Sequence, residues 1–97
     1  MIASFGDRAT EDLYHGRKSK AVRRLPPGIL SVAFRKLDMV NAAQALQDLS
    51  SPPGNRLEAL TGDLKGYNSI RINDQWRLVF RWSDGKAYEV RIADYHS

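Results

Sequence analysis

Four arginines, Arg71, Arg77, Arg81 and Arg91, lie in three short runs that alternate polar with apolar residues, and Asp94-Tyr95-His96 follows the last run. Successive side chains of an extended strand point to opposite faces. From Trp76 to Trp82 this places Trp76, Leu78, Phe80 and Trp82 on one face and Arg77, Val79 and Arg81 on the other. The apolar set must meet a core, since each buried aromatic contributes on the order of 2 kcal/mol. Arg77 and Arg81 are thereby sent to an open face. The same rule turns Ile70 and Ile72 inward with Arg71 outward, and Tyr88, Val90 and Ile92 inward with Glu89 and Arg91 outward. Four arginines against one acid make a phosphate cradle, because the planar guanidinium can hold two phosphate oxygens at once. Ion pairing of Arg81 or Arg91 with Glu89 on a wet surface is the plainer account of at least one of them. His96 adds the group of this region whose ordinary pKa lies near neutrality, and it suits proton transfer in either direction.

Other chemistries find little support. His15 and His96 are the only histidines, and there is no Cys, HxxxH or acidic triad at ligand spacing, so no metal site or disulfide is expected. GxSxG, Walker and GxGxxG motifs are missing. His15, beside Tyr14 on a short helix, is assigned no role. The chain has 97 residues, 42% hydrophobic and 27% charged, which fits one globular domain spanning 1–97. A net charge of +4 and a pI near 9.7 mildly favour a polyanionic partner. No apolar run approaches a membrane span, and the acidic start MIASFGDRATED argues against a signal peptide, so a cytoplasmic protein is expected.

The elements that must position these residues are legible along the chain. Ile2 and Phe5 read as a brief first strand. Thr10-Glu11-Asp12 opens a short helix through Leu13 and Tyr14, with Gly16 as its stop. Arg17, Lys18, Lys20, Arg23 and Arg24 then place five cations in eight positions, either as a solvated, self-repelling loop or as a phosphate-contacting arm. After Pro26-Pro27-Gly28, the spacing of Ile29, Leu30, Ala33, Phe34, Leu37 and Val40 predicts an amphipathic helix with Arg35, Lys36 and Asp38 off its apolar stripe. Ala42, Ala43, Leu46 and Leu49 continue it, and Ser50-Ser51-Pro52-Pro53-Gly54 stops it. Asn73-Asp74 and Asp84-Gly85 mark the turns between three strands. The expected fold is α+β, in the order β-α-α-β-β-β, with a small, mainly antiparallel sheet and helices packed on one face.

The run PPGNRLEALTGDLKGYNSIRINDQWRLVFRW from Pro52, followed by Asp94-Tyr95-His96, closely resembles the HigB-type branch of the RelE-like toxins, with Met1-Ile2-Ser4-Phe5 a weaker echo of the first strand. The resemblance implies the same fold order and a metal-independent mRNA endoribonuclease without a cofactor. Such cleavage uses the substrate's own 2′-OH as nucleophile and needs a base, an acid for the leaving oxygen and cations for the developing charge. Arg77 matches a motif arginine and is the candidate for that charge. His96 is the acid or base, Tyr95 a hydrogen-bond donor or a stacking surface, and Asp94 a group that orients His96 or an arginine. Arg71, Arg81, Arg91 and the basic arm 17–24 are the expected RNA contacts. Where related toxins carry His and Lys in a pattern like HPLKG, this chain has Glu58 and Thr61, so Glu58 is the remaining base candidate and slower cleavage is expected.

The resemblance further implies action on mRNA in the ribosomal A site and a HigA-like helix-turn-helix antitoxin, with operator DNA reached only through that partner. Two other readings keep the fold: a module that binds RNA or the ribosome without cutting, and a decayed toxin acting mainly in operon repression. An outward Arg77 predicts that Arg77→Ala abolishes toxicity and leaves the fold intact.

Overall fold

The computed structural model describes residues 1–94, so Tyr95 and His96 lie outside the described residues. Three helices precede a four-stranded antiparallel sheet: α1 (Arg8–Tyr14), α2 (Lys20–Arg23) and α3 (Leu30–Ala42), then β1 (Glu58–Ala59), β2 (Asn68–Arg71), β3 (Trp76–Ser83) and β4 (Lys86–Asp94), ordered β1-β2-β3-β4. The α+β class and the three long strands agree with the sequence reading. The strand expected at Ile2 and Phe5 is reduced to two isolated parallel bridges, to Ala87 and Val90. A bulge in β4 at Glu89, whose φ is +55°, interrupts the pairing between them. On the far edge, Glu58–Ala59 pairs with β2 as a short strand that the sequence presents as loop.

The core forms where α3 lies on the sheet. Ala33, Leu37 and Val40 meet Ile70, Leu78, Phe80, Ala87, Val90 and Ile92, all fully or nearly buried. Leu13 and Tyr14 of α1 pack against the same cluster. α1 is docked along β4 by the Ile92 amide, which donates to Thr10 Oγ1 at 2.8 Å. Its N-cap is Asp7, which accepts from the Thr10 amide at 2.8 Å, and Gly16 follows in the left-handed region at φ +72°.

Four local expectations change. The basic arm contains a helical turn, with the Ser19 hydroxyl accepting from the Val22 amide and Arg17 pairing with buried Asp12 at 3.3 Å. Neutralising Arg17 relieves the self-repulsion that argued for an open loop. α3 ends at Ala42 rather than running on, because the Asp48 carboxylate accepts from the Gln44 and Ala45 amides and starts a separate 3-10 turn, Leu46–Ser50. Lys36, expected off the stripe, is buried at 7% exposure, while Phe34 on the stripe is exposed. Tyr88 is not turned inward: the Glu89 bulge shifts the alternation by one residue, so Ala87 is buried and Tyr88 pairs with Arg81 on the outer face. The Asp84-Gly85 hairpin holds, with both residues at positive φ as a type I′ turn demands. Among the described residues, no helix is long and apolar enough to cross a membrane.

Candidate active site

Cross-strand register brings the outer-face residues together. Arg71 on β2 lies directly opposite Arg77 on β3, and Glu58 on β1 lies opposite Ser69, one pleat from Arg71. Like charges placed opposite one another repel unless anions intervene. Here carboxylates do: Arg71 pairs with Asp74 through Nη2, and Arg77 Nη1 lies 3.6 Å from Glu58 Oε1. Asp74 is placed by the β2–β3 turn, where Asn73 Oδ1 accepts from the Gln75 and Trp76 amides at 2.8 and 2.7 Å.

Arg77 does not stand on an open face. It is 8% exposed, and its neighbours Ser69 and Val79 are fully buried. The segment after Pro53 accounts for this. A 3-10 turn, Pro53–Asn55, packs on β2, and the carbonyl of Arg56 accepts from Arg77 Nη2 at 2.6 Å. The expectation of an outward arginine indifferent to the fold is therefore corrected, because strand alternation predicts direction and says nothing about what covers the face. Burial also has a chemical consequence. A guanidinium removed from water and held at two nitrogens interacts with nearby charge more strongly than a free surface arginine would. Glu58, with its side chain half exposed, offers a carboxylate at the rim of that group.

The network behind Arg77 was not legible beforehand. Buried Lys36 donates to Asn55 Oδ1, and fully buried Asn55 donates to the carbonyls of Leu49 (3.2 Å) and Ser51 (3.3 Å). These bonds fix the segment that delivers the Arg56 carbonyl and Glu58. Burial, and after it the charges of Arg35 and Arg71, hold the Lys36 ammonium below the ordinary lysine pKa. Asn55 directly follows the Pro52-Pro53-Gly54 stop; that position was the available signal.

The other candidates are placed as follows. Asp94 pairs in register with Trp76 and accepts from Gln75 Nε2 at 3.2 Å, so it sits at the same end of β3 as Arg77. Arg81 pairs with Glu89 at 3.3 Å, as the plainer reading anticipated, and also lies over the Tyr67 ring. Arg91 is opposite Val79, between the two ends of the face. Arg17, Lys18 and Arg23 rim a cleft of about 320 Å³ floored by Leu13 and Val22, with Lys20 and Arg24 nearby on the same turn. That turn packs on α1, on the helical side of the sheet, so it is not brought together with Arg77 and Glu58. Asp12 beneath it is held below the ordinary carboxylate pKa, first by a hydrogen bond from Ser19 and then by Arg17 and Arg8, against the opposing effect of burial. Thr61 is exposed and supplies no charge. Among the described residues, no group of three or more His, Asp or Glu is close enough together to hold a metal ion.

The chain is similar in sequence and in fold to known proteins. The family model described as the RelE-like toxin of type II toxin-antitoxin system HigB matches residues 3–96. Toxin HigB-1 of Vibrio cholerae is 48% identical over 92 residues, covering 95% of each chain. Endoribonuclease HigB of Proteus vulgaris is 42% identical over 41 residues, 42% of this chain and 45% of that one. In structure, a YoeB–YefM toxin–antitoxin complex from Staphylococcus aureus contains a chain that superposes with a TM-score of 0.60 at 18% identity, covering 100% of this chain and 99% of that one. YafQ from E. coli gives 0.56 at 15% identity, covering 97% and 93%. At such identities the structural likeness speaks for the fold.

Proposed function

Given that the chain belongs to the HigB-like family of RelE-like toxins of type II toxin–antitoxin systems, we propose that it is an endoribonuclease that cuts mRNA without a metal ion. The observation that carries this reading is the opposed pair Arg71 and Arg77 with Glu58 against Arg77. Two guanidiniums facing each other across a strand pair suit a phosphate, and an adjacent half-exposed carboxylate suits a proton acceptor. The similarity to a Proteus vulgaris protein named an endoribonuclease supports RNA cleavage.

In the proposed reaction, Glu58 takes the proton of the 2′-OH, whose oxygen attacks the adjacent phosphorus. The bond from phosphorus to the 5′-oxygen breaks, and His96 delivers a proton to that oxygen. The products are a 2′,3′-cyclic phosphate and a free 5′-OH. Arg77 stabilises the charge on the non-bridging oxygens, because a preorganised guanidinium need not reorient as that charge develops. Tyr95 supports the phosphate or stacks on a neighbouring base, Asp94 orients the end of β4, and Arg71 and Arg91 steer the strand.

The substrate is mRNA in the ribosomal A site, and the partner is a HigA-like helix-turn-helix antitoxin that occludes the toxin and connects it to operator DNA. The structurally similar S. aureus toxin solved with its antitoxin supports an antitoxin partner. Action on translating ribosomes implies a cytoplasmic location. Induced expression without the antitoxin, with mapping of mRNA 5′ ends, tests the reading. New ends inside coding sequence, lost in Arg77→Lys, are expected; growth arrest without new ends would sink it.

A further inference from the structure

At the opposite end of the same sheet face from Arg77, a second polar cluster is built around the β4 bulge. Tyr67 Oη donates to Glu89 Oε1 at 2.9 Å, and Arg81 Nη1 donates to Glu89 Oε2 at 3.3 Å. Tyr67 backs the guanidinium, its ring centroid 5.4 Å from Arg81 Cζ. Arg81, Glu89, Tyr88 and Trp82 line an open cleft of about 480 Å³, together with Ser4 and Gly66.

Several features mark the cluster as built. Glu89 holds a left-handed backbone conformation, φ +55°, that a non-glycine residue keeps only where its surroundings impose it. The N-terminal segment imposes it: Ser4 Oγ accepts from the Glu89 amide at 2.9 Å, and Gly6 lies so close that a Cβ there would sit 2.7 Å from the Glu89 carbonyl. The bulge also turns Tyr88 onto the outer face beside Arg81. Pairing alone would not require this, since an exposed Arg–Glu pair contributes little.

We propose that this cleft is a nucleobase subsite for the single-stranded RNA that passes Arg77, and that Glu89 selects a base carrying an amino group. The inference rests on the endoribonuclease reading. Arg81 and Arg77 are four residues apart on one strand face, about 13 Å at 3.3 Å per residue, so one extended RNA strand reaches both after a few nucleotides. A guanidinium plane and a tyrosine ring are stacking surfaces for an unstacked base. The Glu89 carboxylate only accepts hydrogen bonds, and each oxygen retains a lone pair beyond those engaged by Tyr67 and Arg81. It therefore favours the amino groups of adenine, cytosine and guanine over uracil, which presents carbonyls along most of its edge. A base, rather than a phosphate, is the fitting occupant, because a single guanidinium already engaged by Glu89 lacks the second, opposed guanidinium that Arg71 and Arg77 present.

The test maps cleavage ends in cells expressing wild type, Glu89→Gln and Arg81→Lys, reading base frequencies as ratios within each variant's own ends. Wild type is expected to deplete uracil roughly three- to tenfold at one fixed position beside the cut, the range of one added hydrogen bond. Glu89→Gln, whose amide can also donate, evens that position. Arg81→Lys keeps the charge but loses the plane, and it weakens the same bias without relying on a fold-sensitive bulge. Identical base frequencies in all three proteins would overturn the subsite and leave cleavage standing. No ends in wild type would overturn the subsite together with the functional reading. Variants that cut like wild type yet escape the antitoxin would assign the cleft to the protein partner instead.

Discussion

Arg71 and Arg77 face each other across β2 and β3, each balanced by its own carboxylate, Asp74 for the first and Glu58 for the second. Both acids come from neighbouring turns or edges, so the face is neutral enough to fold and can turn cationic when a stronger anion displaces them. Arg77 is the anchored member of the pair, bound to the Arg56 carbonyl.

Arg77→Ala is expected to cost stability as well as activity. The substitution leaves the Arg56 carbonyl without its donor and opens space at a site 8% exposed, a loss of about 1–3 kcal/mol. Urea unfolding beside end mapping checks both effects. Arg77→Lys retains charge and most of the volume, so it is expected to fold more nearly like wild type while still failing to cleave. Wild-type stability in Arg77→Ala would contradict the anchoring role.

Glu58→Gln preserves the shape of the residue and removes the proposed base. The fold is expected to survive, since Glu58 sits half exposed on a two-residue edge strand. Cleavage should fall by roughly 10²–10⁴-fold, the usual worth of a positioned acid–base group. A single-turnover rate equal to wild type would remove Glu58 from the mechanism.

Asp12 contributes to the acid limb of stability. Its folded pKa lies below the ordinary 3.8, so its contribution is fully present above that value and is lost as pH falls through the lowered one. Asp12→Asn is expected to flatten this part of the curve and to free Arg17 and Ser19 at the start of α2. Parallel melting curves from pH 5 downward, with no difference in slope between the two proteins, would argue against the assignment.

Lys36 acts in the same direction with pH, at the alkaline end and through burial rather than pairing. Its folded pKa is depressed, so the unfolded chain binds more protons across the window between that value and the ordinary 10.5, and stability rises with pH there. Lys36→Met should abolish the rise. At neutral pH the same variant is expected to lose about 1–3 kcal/mol by orphaning Asn55 Oδ1. Denaturation at neutral and alkaline pH reads both consequences.

Gly6→Ala places a methyl group 2.7 Å from the Glu89 carbonyl oxygen. Either the bulge or the N-terminal segment must shift, at about 1–3 kcal/mol for an overpacked contact. A thermal melt unchanged from wild type would show that the two segments do not meet.

Much of this protein is decided locally and is readable in order along the chain. The alternation from Trp76 to Trp82 assigned Leu78 and Phe80 to the core, the Asp84-Gly85 pair specified its hairpin, and the motif around Arg77 identified the family. These follow from period, turn chemistry and composition, which are short-range properties. Four other features depended on segments distant in sequence meeting in space. Arg77 became buried because the 53–57 segment folds over β2. Lys36 became buried because Asn55 receives it from 19 residues away. Tyr88 faced outward because the N-terminal segment stabilises a bulge 85 residues on, at Glu89. The basic arm lay on the helical side, away from Arg77, because α2 packs on α1. Alternation fixes a side chain's direction within its own strand; what covers that side chain, and where a strand slips its register, is set by contacts that no local pattern encodes.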